Sequence, residues 1–342
     1  MRKRETNIKQ HYVPQFYLKN FTNSNGKINV YDTIRDNRYV TSPAKECYEK
    51  YFYDIDLDIF KKFVHSDQNY EELVDDKIRT LNEEVSAILM DFLSKVRHHE
   101  NCFNFPSNQR DKLYNFIILQ IIRTPYYRKR LSYLNVPFSI KTGLSGELGD
   151  EKTLDVIHNL LIYGVISSIY GKDFGLNEPF YHIFEHIIEE TFNLKRQLEK
   201  AGKLFLVNKS DNKFICSSSP VNLLWKYNPL SQSKALVSLM NADSKLFDIG
   251  DYIEFQTIHL PISSDVAIFL FDKNYSYPLT LMNQGIGRIY NWNSDIIKNL
   301  NLSTMLKSYD KVFSANNNFD ELIEMKNAKI NPVFNFRFNE KK

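Results

Sequence analysis

The chain has 342 residues and carries 44 lysines and arginines against 41 aspartates and glutamates, so its formal net charge is only +3. This near balance excludes a domain that is strongly basic throughout, and any nucleic-acid role would require a local basic patch. With 43% hydrophobic and 25% charged residues, the composition is typical of a globular protein that folds around its own core.

Three cysteines stand far apart, at Cys47, Cys102 and Cys216, and their odd number argues against a disulfide framework or a thiolate metal cage. The N-terminal "MRKRETNIKQ" is basic, but the apolar run of a secretory signal does not follow it. No stretch has the run of about eighteen apolar residues that a membrane span requires. The expected compartment is therefore the cytoplasm, without a membrane partner.

The first apolar stretch, "QHYVPQFYLKNF" from Gln10 to Phe21, places a histidine and a tyrosine before a proline. Pro14 fixes φ near the helical value, so a helix is expected to begin there. The following "NSNGKINVYDTIRDNRYVTS" predicts a β-hairpin, because Asn25-Gly26 is a turn signal and "KINVYD" alternates as a strand does.

The central part of the chain predicts helices. From about Asp67, apolar residues recur at intervals of three and four, which indicates one buried stripe on a long helix. The stripe comprises Leu73, Ile78, Leu81, Val85, Ile88, Leu89 and Phe92. A second helix is expected to start near Ser107 and to end near Thr124, since Pro125 follows.

Beyond a glycine-rich loop, two further helices are expected around Lys152 to Tyr170 and Pro179 to Ala201. From Lys203 the pattern favours strands. "KLFLVN" and "KFICSS" are expected to form a hairpin around "KSDN", and "YIEFQTIHLPIS" and "VAIFLFD" to add further strands. A last helix is expected near Ser294 to Lys307, followed by the strand-like "KVFSA".

The order of strands, helices and strands predicts an α+β fold, in which an N-terminal β-hairpin and C-terminal β-strands form a sheet packed on a central helical bundle. The whole chain, 1–342, is expected to be a single α+β unit. Its possible sub-lobes are a β-hairpin region at 1–66, a helical region at 67–201, and a mainly β region with one late helix at 202–342.

Four stretches resemble one family in the order of its motifs: "QHYVPQFYLKNF", "LQIIRTPYYR", "FICSSSPV" at Phe214 to Val221, and "IHLPISSD" at Ile258 to Asp265. They resemble the uncharacterised, mainly bacterial proteins of domain-of-unknown-function family 4238. The resemblance extends over nearly the whole chain, and the first stretch is its most specific part. It implies no reaction, because that family is defined by sequence alone.

The sequence matches the family's patterns at His11, Gln120, Arg123, Pro220 and Pro261. One family acid is not matched, because Ser218 stands where the aspartate of a threonine-serine-aspartate-asparagine-proline segment is expected. Cys216 and Ser219 replace the threonine and the asparagine of that segment. If the acid is catalytic elsewhere in the family, this departure argues against catalysis here.

The middle helix carries a polar pair inside an apolar run. Gln120 and Arg123 are three residues apart, so both project from one helix face, and a buried Arg123 needs acceptors for its donors. Arg123 either binds an anionic ligand group or pairs with an internal acid such as Glu83 or Asp76. His11 is either a general acid or base or a packing residue. The catalytic candidates are His11, Gln120 and Arg123.

Arginines and aromatic rings are interleaved in "RTPYYRKR". Such a segment suits single-stranded nucleic acid, since cations meet phosphates and rings stack on bases. Alternatively, it is a solvated helix end whose cations complement the helix dipole. The residues expected to bind substrate, there and beside His11, are Tyr12, Gln15, Tyr126, Arg128 and Arg130.

The segment "YHIFEHIIEE" contains an H-x-x-E-H signature, which places His182, Glu185 and His186 together on one helix, as in some zinc peptidases. No third ligand follows on a matching helix, so these residues are only weak candidates for a metal site. The alternative is a helix whose histidines face solvent and bind no metal. A glycine-rich phosphate loop and a dinucleotide fingerprint are both missing from the sequence, and no cofactor is assigned.

The leading hypothesis is a nuclease-type hydrolase that cleaves a phosphodiester in RNA or DNA. His11 would act as acid or base, Gln120 would orient the substrate, and Arg123 would stabilise phosphate charge. One alternative is a non-catalytic module that binds a protein or nucleic acid. A less favoured alternative is a zinc-dependent peptidase built on the H-x-x-E-H helix.

Overall fold

A computed structural model gives the fold and describes residues 9–55, 59, 61, 70–98, 102–131, 150–170, 193–208, 210–224, 257–271, 286–292, 294–330 and 332. The fold is α+β, as predicted, with the long helices in the middle of the sequence and most strands toward its two ends. The helices whose first and last residues are both described are α1 (Gln15–Lys19), α2 (Tyr70–His98), α3 (Ser107–Ile122), α4 (Pro125–Leu131), α5 (Asp150–Ile169), α6 (Ser294–Lys307) and α7 (Asp320–Asn327). Residues 193–200 are also helical.

The strands are β1 (Lys9–His11), β2 (Ile28–Asp32), β3 (Asn37–Thr41), β4 (Tyr48–Lys50), β5 (Cys102–Asn104), β6 (Gly202–Asn208), β7 (Cys216–Ser217), β8 (Asn222–Leu224), β9 (Thr257–Pro261), β10 (Val266–Phe271), β11 (Ile286–Trp292) and β12 (Lys311–Ser314). Within the described ranges they form a pair β1-β4, a six-stranded sheet β5-β11-β6-β10-β9-β8, and a four-stranded sheet β3-β2-β12-β7.

The four-stranded sheet joins the two ends of the sequence. Strands β2 and β3 form the predicted N-terminal hairpin, and β12 pairs antiparallel with β2, so that Phe313 lies opposite Val30. Both of these side chains are fully buried. The expectation that N-terminal and C-terminal strands meet in one sheet is confirmed, although the other C-terminal strands build the separate six-stranded sheet.

The hairpin predicted from "KLFLVN" and "KFICSS" is wrong. Strand β6 instead lies between β10 and β11 in the six-stranded sheet, while β7 joins β12 in the four-stranded sheet. Phe205 and Leu206 point to opposite faces of β6, and both are buried. Both faces of this strand are therefore covered, and β7, with 2 residues, is too short to pair with the 7 residues of β6.

The helical predictions are confirmed where the structure describes them. Every stripe member of α2 whose side chain is described is buried, and residues 113–120 of α3 are buried on all faces. Helix α3 ends at Ile122 and α4 begins at Pro125, as expected from the missing amide donor of a proline. Among the described helices, none combines the length and the apolar composition needed to cross a membrane.

The stretches that carry the family resemblance contact one another in the fold. The Tyr17 hydroxyl of α1 donates a hydrogen bond to the Pro261 carbonyl at the end of β9. The Ser264 amide donates to the Asn20 carbonyl at 3.1 Å, and the Phe214 amide donates to the Ser264 carbonyl at 2.9 Å. These contacts hold the N-terminal stretch against the corner that follows β9.

His259 occupies an unusual position on β9. Its side chain has no solvent exposure, and among the described residues neither ring nitrogen has a hydrogen-bonding partner. Burial and, to a smaller extent, the charge of the nearby Lys307 lower the pKa of His259 to about 3, so the ring is neutral at physiological pH. Its cross-strand neighbours are Asn222 and Phe269.

Because His259 makes no hydrogen bond that phenylalanine would lose, we expect His259→Phe to change the free energy of unfolding near neutral pH by less than about 1.5 kcal/mol. The folded pKa lies below the usual 6.5, so the unfolded state binds more protons between the two values. The contribution of His259 to the free energy of unfolding is therefore fully present above pH 6.5. As the pH falls toward 3, this group reduces the free energy of unfolding by roughly 4 kcal/mol.

Urea unfolding of wild type and His259→Phe, near neutral pH and at about pH 5, measures this difference. The variant should lose less stability on acidification than wild type does. Equal losses in the two proteins would contradict a buried neutral histidine at this position.

Candidate functional site

His11 lies on a short ribbon formed by β1 and β4. In the antiparallel pairing, Lys9 lies opposite Lys50, and His11 lies opposite Tyr48. Because opposed residues and alternate residues of a strand point to the same side, these four side chains share one face. We call Lys9, His11, Tyr48 and Lys50 the His11 face.

The His11 imidazole is partly exposed and is held by its neighbours. Its Nε2 lies 3.3 Å from Nε2 of Gln15, and its ring centroid lies 5.4 Å from that of Tyr48. An amide nitrogen can only donate, so we assign an unprotonated Nε2 and place the ring proton on Nδ1. The Ala44 carbonyl, which raises the pKa of His11, is the acceptor for that proton.

Burial lowers the pKa of His11 below its usual 6.5, and the charge of Lys9 lowers it further. The hydrogen bond to Ala44 opposes these two effects without cancelling them. At neutral pH the imidazole is therefore uncharged and has a lone pair on Nε2, which is the state of a general base.

The His11 face is locally basic although the whole chain is not. Lys9 and Lys50 are exposed, and so is Lys45, which follows Ala44 in the turn beside the imidazole. The Lys9 ammonium also lies 4.9 Å from the centroid of the Tyr48 ring. Three exposed lysines around a neutral imidazole create a surface that attracts anions.

The opposite face of the ribbon fixes it to the protein. The Gln10 side chain accepts a hydrogen bond from the Tyr53 amide at 2.6 Å and donates one to Asp54 at 2.6 Å. The Tyr53 hydroxyl in turn donates to the His11 carbonyl at 3.1 Å. Since Gln10 and Tyr53 are both buried, the ribbon is held in a defined position.

Gln120 joins the N-terminal stretch to α3. Its amide nitrogen donates to the Tyr12 carbonyl at 2.9 Å, and its amide oxygen accepts from Nε and Nη2 of Arg123 at 3.0 and 2.6 Å. Arg123 Nη2 also lies 3.2 Å from the Asn82 oxygen on α2. Gln120 therefore contacts both Arg123 and the backbone of the N-terminal stretch, whereas Arg123 contacts Gln120.

Arg123 is fully buried, and in the described ranges no carboxylate forms an ion pair with it. The expected partners differ from those found, because Glu83 is exposed and Asp76 pairs with Arg79 at 2.9 Å. Asn82 could have been identified from spacing, since it stands four residues after Ile78 and three before Val85 on the buried stripe of α2.

The buried cation of Arg123 is compensated by dipoles rather than by an acid. Burial lowers its pKa, and the neighbouring Tyr53 side chain opposes that shift. The guanidinium carbon lies 5.5 Å from the Phe116 ring centroid, and Arg123 is the C-terminal cap of α3, where the helix dipole is negative. Its Nη1 has no hydrogen-bonding partner among the described residues.

The structure does not bring the His11 imidazole to Gln120 or Arg123. Within the described part of the chain, the ring makes no hydrogen bond to either side chain, and the link runs through the carbonyls of His11 and Tyr12. The three catalytic candidates thus form two layers. His11 belongs to an accessible face, whereas Gln120 and Arg123 lie in the core behind it.

Arg128 is an internal connector rather than a solvated helix end. Its Nη1 lies 2.9 Å from Asp155 and 3.3 Å from Glu49, and its guanidinium carbon lies 4.1 Å from the Phe52 ring centroid. Only 16% of its side chain is exposed, because these contacts join α4 to β4 and α5. Its Nε also lies 3.4 Å from Nδ1 of His158.

The remaining substrate-binding candidates are distributed differently. Tyr12 is buried, and its amide donates to the Cys47 carbonyl at 2.9 Å. Tyr126 is 40% exposed, and its ring centroid lies 6.3 Å from that of Tyr309. Arg130 lies in α4, and its side chain is outside the described part of the structure.

Sequence reasoning missed His158, which stands inside the apolar stretch of α5. Its Nε2 lies 2.7 Å from the Ile122 carbonyl, so the ring satisfies an acceptor at the C-terminal end of α3. Burial and the charge of Arg128 lower the pKa of His158 to about 3. A histidine inside an apolar helical run, with no exposed face available, was the signal for this structural role.

The metal candidates His182, Glu185 and His186 lie outside the described residues. Among the residues that the structure does describe, no group of three or more histidine, cysteine, aspartate or glutamate side chains is arranged to hold a metal ion. Ser218, where the family resemblance implies an acid, is buried, and its amide donates to the Lys311 carbonyl at 3.0 Å.

Comparison with known proteins gives one match. The model of a family described as "Protein of unknown function (DUF4238)" matches residues 9–318. No curated protein and no solved structure matches the chain.

The coupling between Gln120 and Arg123 can be measured by a double-mutant cycle. Gln120→Leu leaves a buried guanidinium with fewer acceptors and should cost about 3 kcal/mol or more, whereas Arg123→Met leaves neutral acceptors and should cost about 1–3 kcal/mol. The double variant should be more stable than the sum of the two losses by at least about 1 kcal/mol. Strictly additive losses in denaturant unfolding would contradict the coupling.

Proposed function

Since this chain belongs to the DUF4238 family, whose description assigns no activity, we propose a function from its own geometry: hydrolysis of a phosphodiester in a nucleic acid at the His11 face. The observation that carries the proposal is the neutral, partly exposed imidazole of His11 on a locally basic face. A nuclease needs a base that is unprotonated at working pH beside cations that bind the phosphate.

In the proposed reaction, Nε2 of His11 takes a proton from a water molecule that attacks the phosphorus. The bond from phosphorus to the leaving oxygen breaks, and the leaving oxygen takes a proton from solvent. In the free protein the Gln15 amide donates to Nε2 and so holds the imidazole in its orientation. During attack the water replaces this amide as the partner of Nε2.

Lys9, Lys45 and Lys50 would attract and hold the phosphate. Lys9 and Lys50 lie on the His11 face, Lys45 follows Ala44 in the adjoining turn, and each of these residues is exposed. Because the net charge of the whole chain is small, nucleic-acid binding requires a local basic patch. These three lysines form such a patch, and phosphate binding depends on nearby charges rather than on the total charge of the protein.

Gln120 and Arg123 have a different role in this proposal from the one expected from the sequence. Both side chains are buried, so they are positioning residues and not groups that touch substrate. The hydrogen bond from Gln120 to the Tyr12 carbonyl fixes the backbone next to His11, and Arg123 fixes the orientation of the Gln120 amide.

A second candidate is a non-catalytic module that binds nucleic acid or protein. Two observations favour it. The donors of Arg128 are engaged by internal partners, so among the described arginines this one is not available to assist His11. In addition, Ser218 stands where the family resemblance implies an acid. In this candidate the His11 face binds an anionic partner and does not cleave it.

We expect His11→Ala to reduce hydrolysis of RNA, DNA or a nitrophenyl phosphodiester by at least about 100-fold, because a general base contributes that much. The free energy of unfolding should change by less than about 1 kcal/mol, since only a partly exposed side chain is removed. As a control, Lys329→Gln changes an exposed lysine in a different turn and should affect neither the rate of hydrolysis nor the free energy of unfolding.

A large loss of stability without loss of hydrolysis would show that His11 is structural. Binding that survives in wild type and in His11→Ala, with no cleavage by either protein, would favour the non-catalytic module.

The pH dependence gives an independent test. Because the pKa of His11 is lowered, the rate should rise with pH along an acid limb centred below pH 6.5. Lys9→Gln removes a charge that lowers this pKa, so the limb should move upward toward pH 6.5. Lys50→Gln serves as the matched control and should leave the limb in place. An acid limb above pH 6.5, or one indifferent to Lys9, would contradict the assignment.

A further inference from the structure

Strand β4 is bounded on both sides by residues in the left-handed backbone region. Cys47 has φ of 54° and Tyr51 has φ of 58°. A side chain with a Cβ collides with its own backbone there, and a bulky residue such as tyrosine is a clear exception. Strained residues of this kind persist only where the surrounding structure enforces them, and they cluster at functional sites.

The residues that follow Tyr51 are firmly anchored. Phe52 is buried beneath the Arg128 guanidinium, and its ring centroid lies 4.9 Å from that of Tyr53. The Tyr53 amide donates to the Gln10 side chain at 2.6 Å. These contacts hold the backbone in place and force Tyr51 into the left-handed conformation.

The Tyr51 side chain itself takes no part in this anchoring. It is 50% exposed, and among the described residues its ring has no aromatic or cationic partner. Glycine or asparagine would adopt the same backbone with less strain. Tyrosine therefore stands at a position where its backbone is unfavourable, and in the part of the chain that the structure describes no aromatic or cationic partner of its ring offsets the strain.

Tyr51 directly follows Lys50, so its backbone stands at the end of the ribbon where Lys9 and Lys50 are paired. We propose that Tyr51 is a base-stacking residue and that the substrate is a single-stranded nucleic acid. An unpaired base stacks on the exposed ring while the adjoining phosphate lies among the lysines of the face. In a duplex the faces of the bases are covered by their neighbours, so stacking of this kind selects an unpaired strand. This inference rests on the proposed function.

The test compares Tyr51→Gly with Tyr51→Phe in the full-length chain, with His11→Ala present in both proteins so that cleavage does not affect binding. The probes are a fluorescent single-stranded oligonucleotide, the matching duplex, and a strand of the same length without bases. Lys329→Gly, which replaces another left-handed residue with φ of 53°, serves as the matched backbone control.

We expect Tyr51→Gly to weaken binding of the single strand by about 5- to 150-fold, which corresponds to about 1–3 kcal/mol. Tyr51→Phe should preserve the affinity because the ring remains. Binding of the strand without bases should be the same for all variants. The melting temperature of Tyr51→Gly should equal or exceed that of the parent, which a purely structural tyrosine would not allow.

Unchanged affinity of Tyr51→Gly for the single strand would overturn the inference, as would failure of the parent to bind that strand. The inference would also fail if Tyr51→Gly lost as much affinity for the strand without bases, or for the duplex, as for the single strand. The proposed hydrolysis is tested separately on a nitrophenyl phosphodiester, which needs no nucleobase. If His11→Ala retains that activity while Tyr51→Gly loses strand binding, the catalytic proposal fails and the role of Tyr51 stands.

Discussion

One buried amide, that of Gln120, connects the core of the protein to the backbone beside His11. Arg123 has no carboxylate partner in the described ranges, so its guanidinium orients the Gln120 oxygen toward itself. The amide nitrogen must then point the other way, where the carbonyl of Tyr12 accepts it. A buried charge thus determines the direction of a neutral side chain, and that side chain determines where the backbone beside His11 lies. Gln120 thus connects the two layers of the site, together with the Tyr53 hydroxyl that donates to the His11 carbonyl.

The same arrangement separates two kinds of positive charge. Arg123 is enclosed by amide oxygens, a helix terminus and an aromatic ring, and it remains charged without reaching the surface. The lysines of the His11 face are solvated and available to an anion. Buried arginine is suited to the first task because its planar group satisfies several fixed acceptors, whereas lysine is suited to the second as a mobile point charge.

The sequence contained the helices and the ends of the fold but not the partners of its strands. The stripe of α2, the break at Pro125 and the bounds of α6 follow from periodicity and proline chemistry, and the order of the elements predicts that N-terminal and C-terminal strands share a sheet. The pairings of β2 with β12 and of β6 with β10 and β11 could not be predicted, because alternation identifies a strand without identifying its neighbours. The His11 face could not be predicted from the sequence either. It arises from the register of two three-residue strands, which are too short to give a periodic signal.

The four-stranded sheet also has a consequence for how the protein is made. Strand β2 is synthesised early, whereas β12, its neighbour in the sheet, leaves the ribosome only after almost all of the intervening chain. Until then the N-terminal hairpin has an unpaired edge, and such edges promote aggregation. Contacts between residues so distant in sequence also slow folding. The ion pair of Glu46 with Lys311, which joins the turn before β4 to this sheet, therefore forms only after β12 has been synthesised.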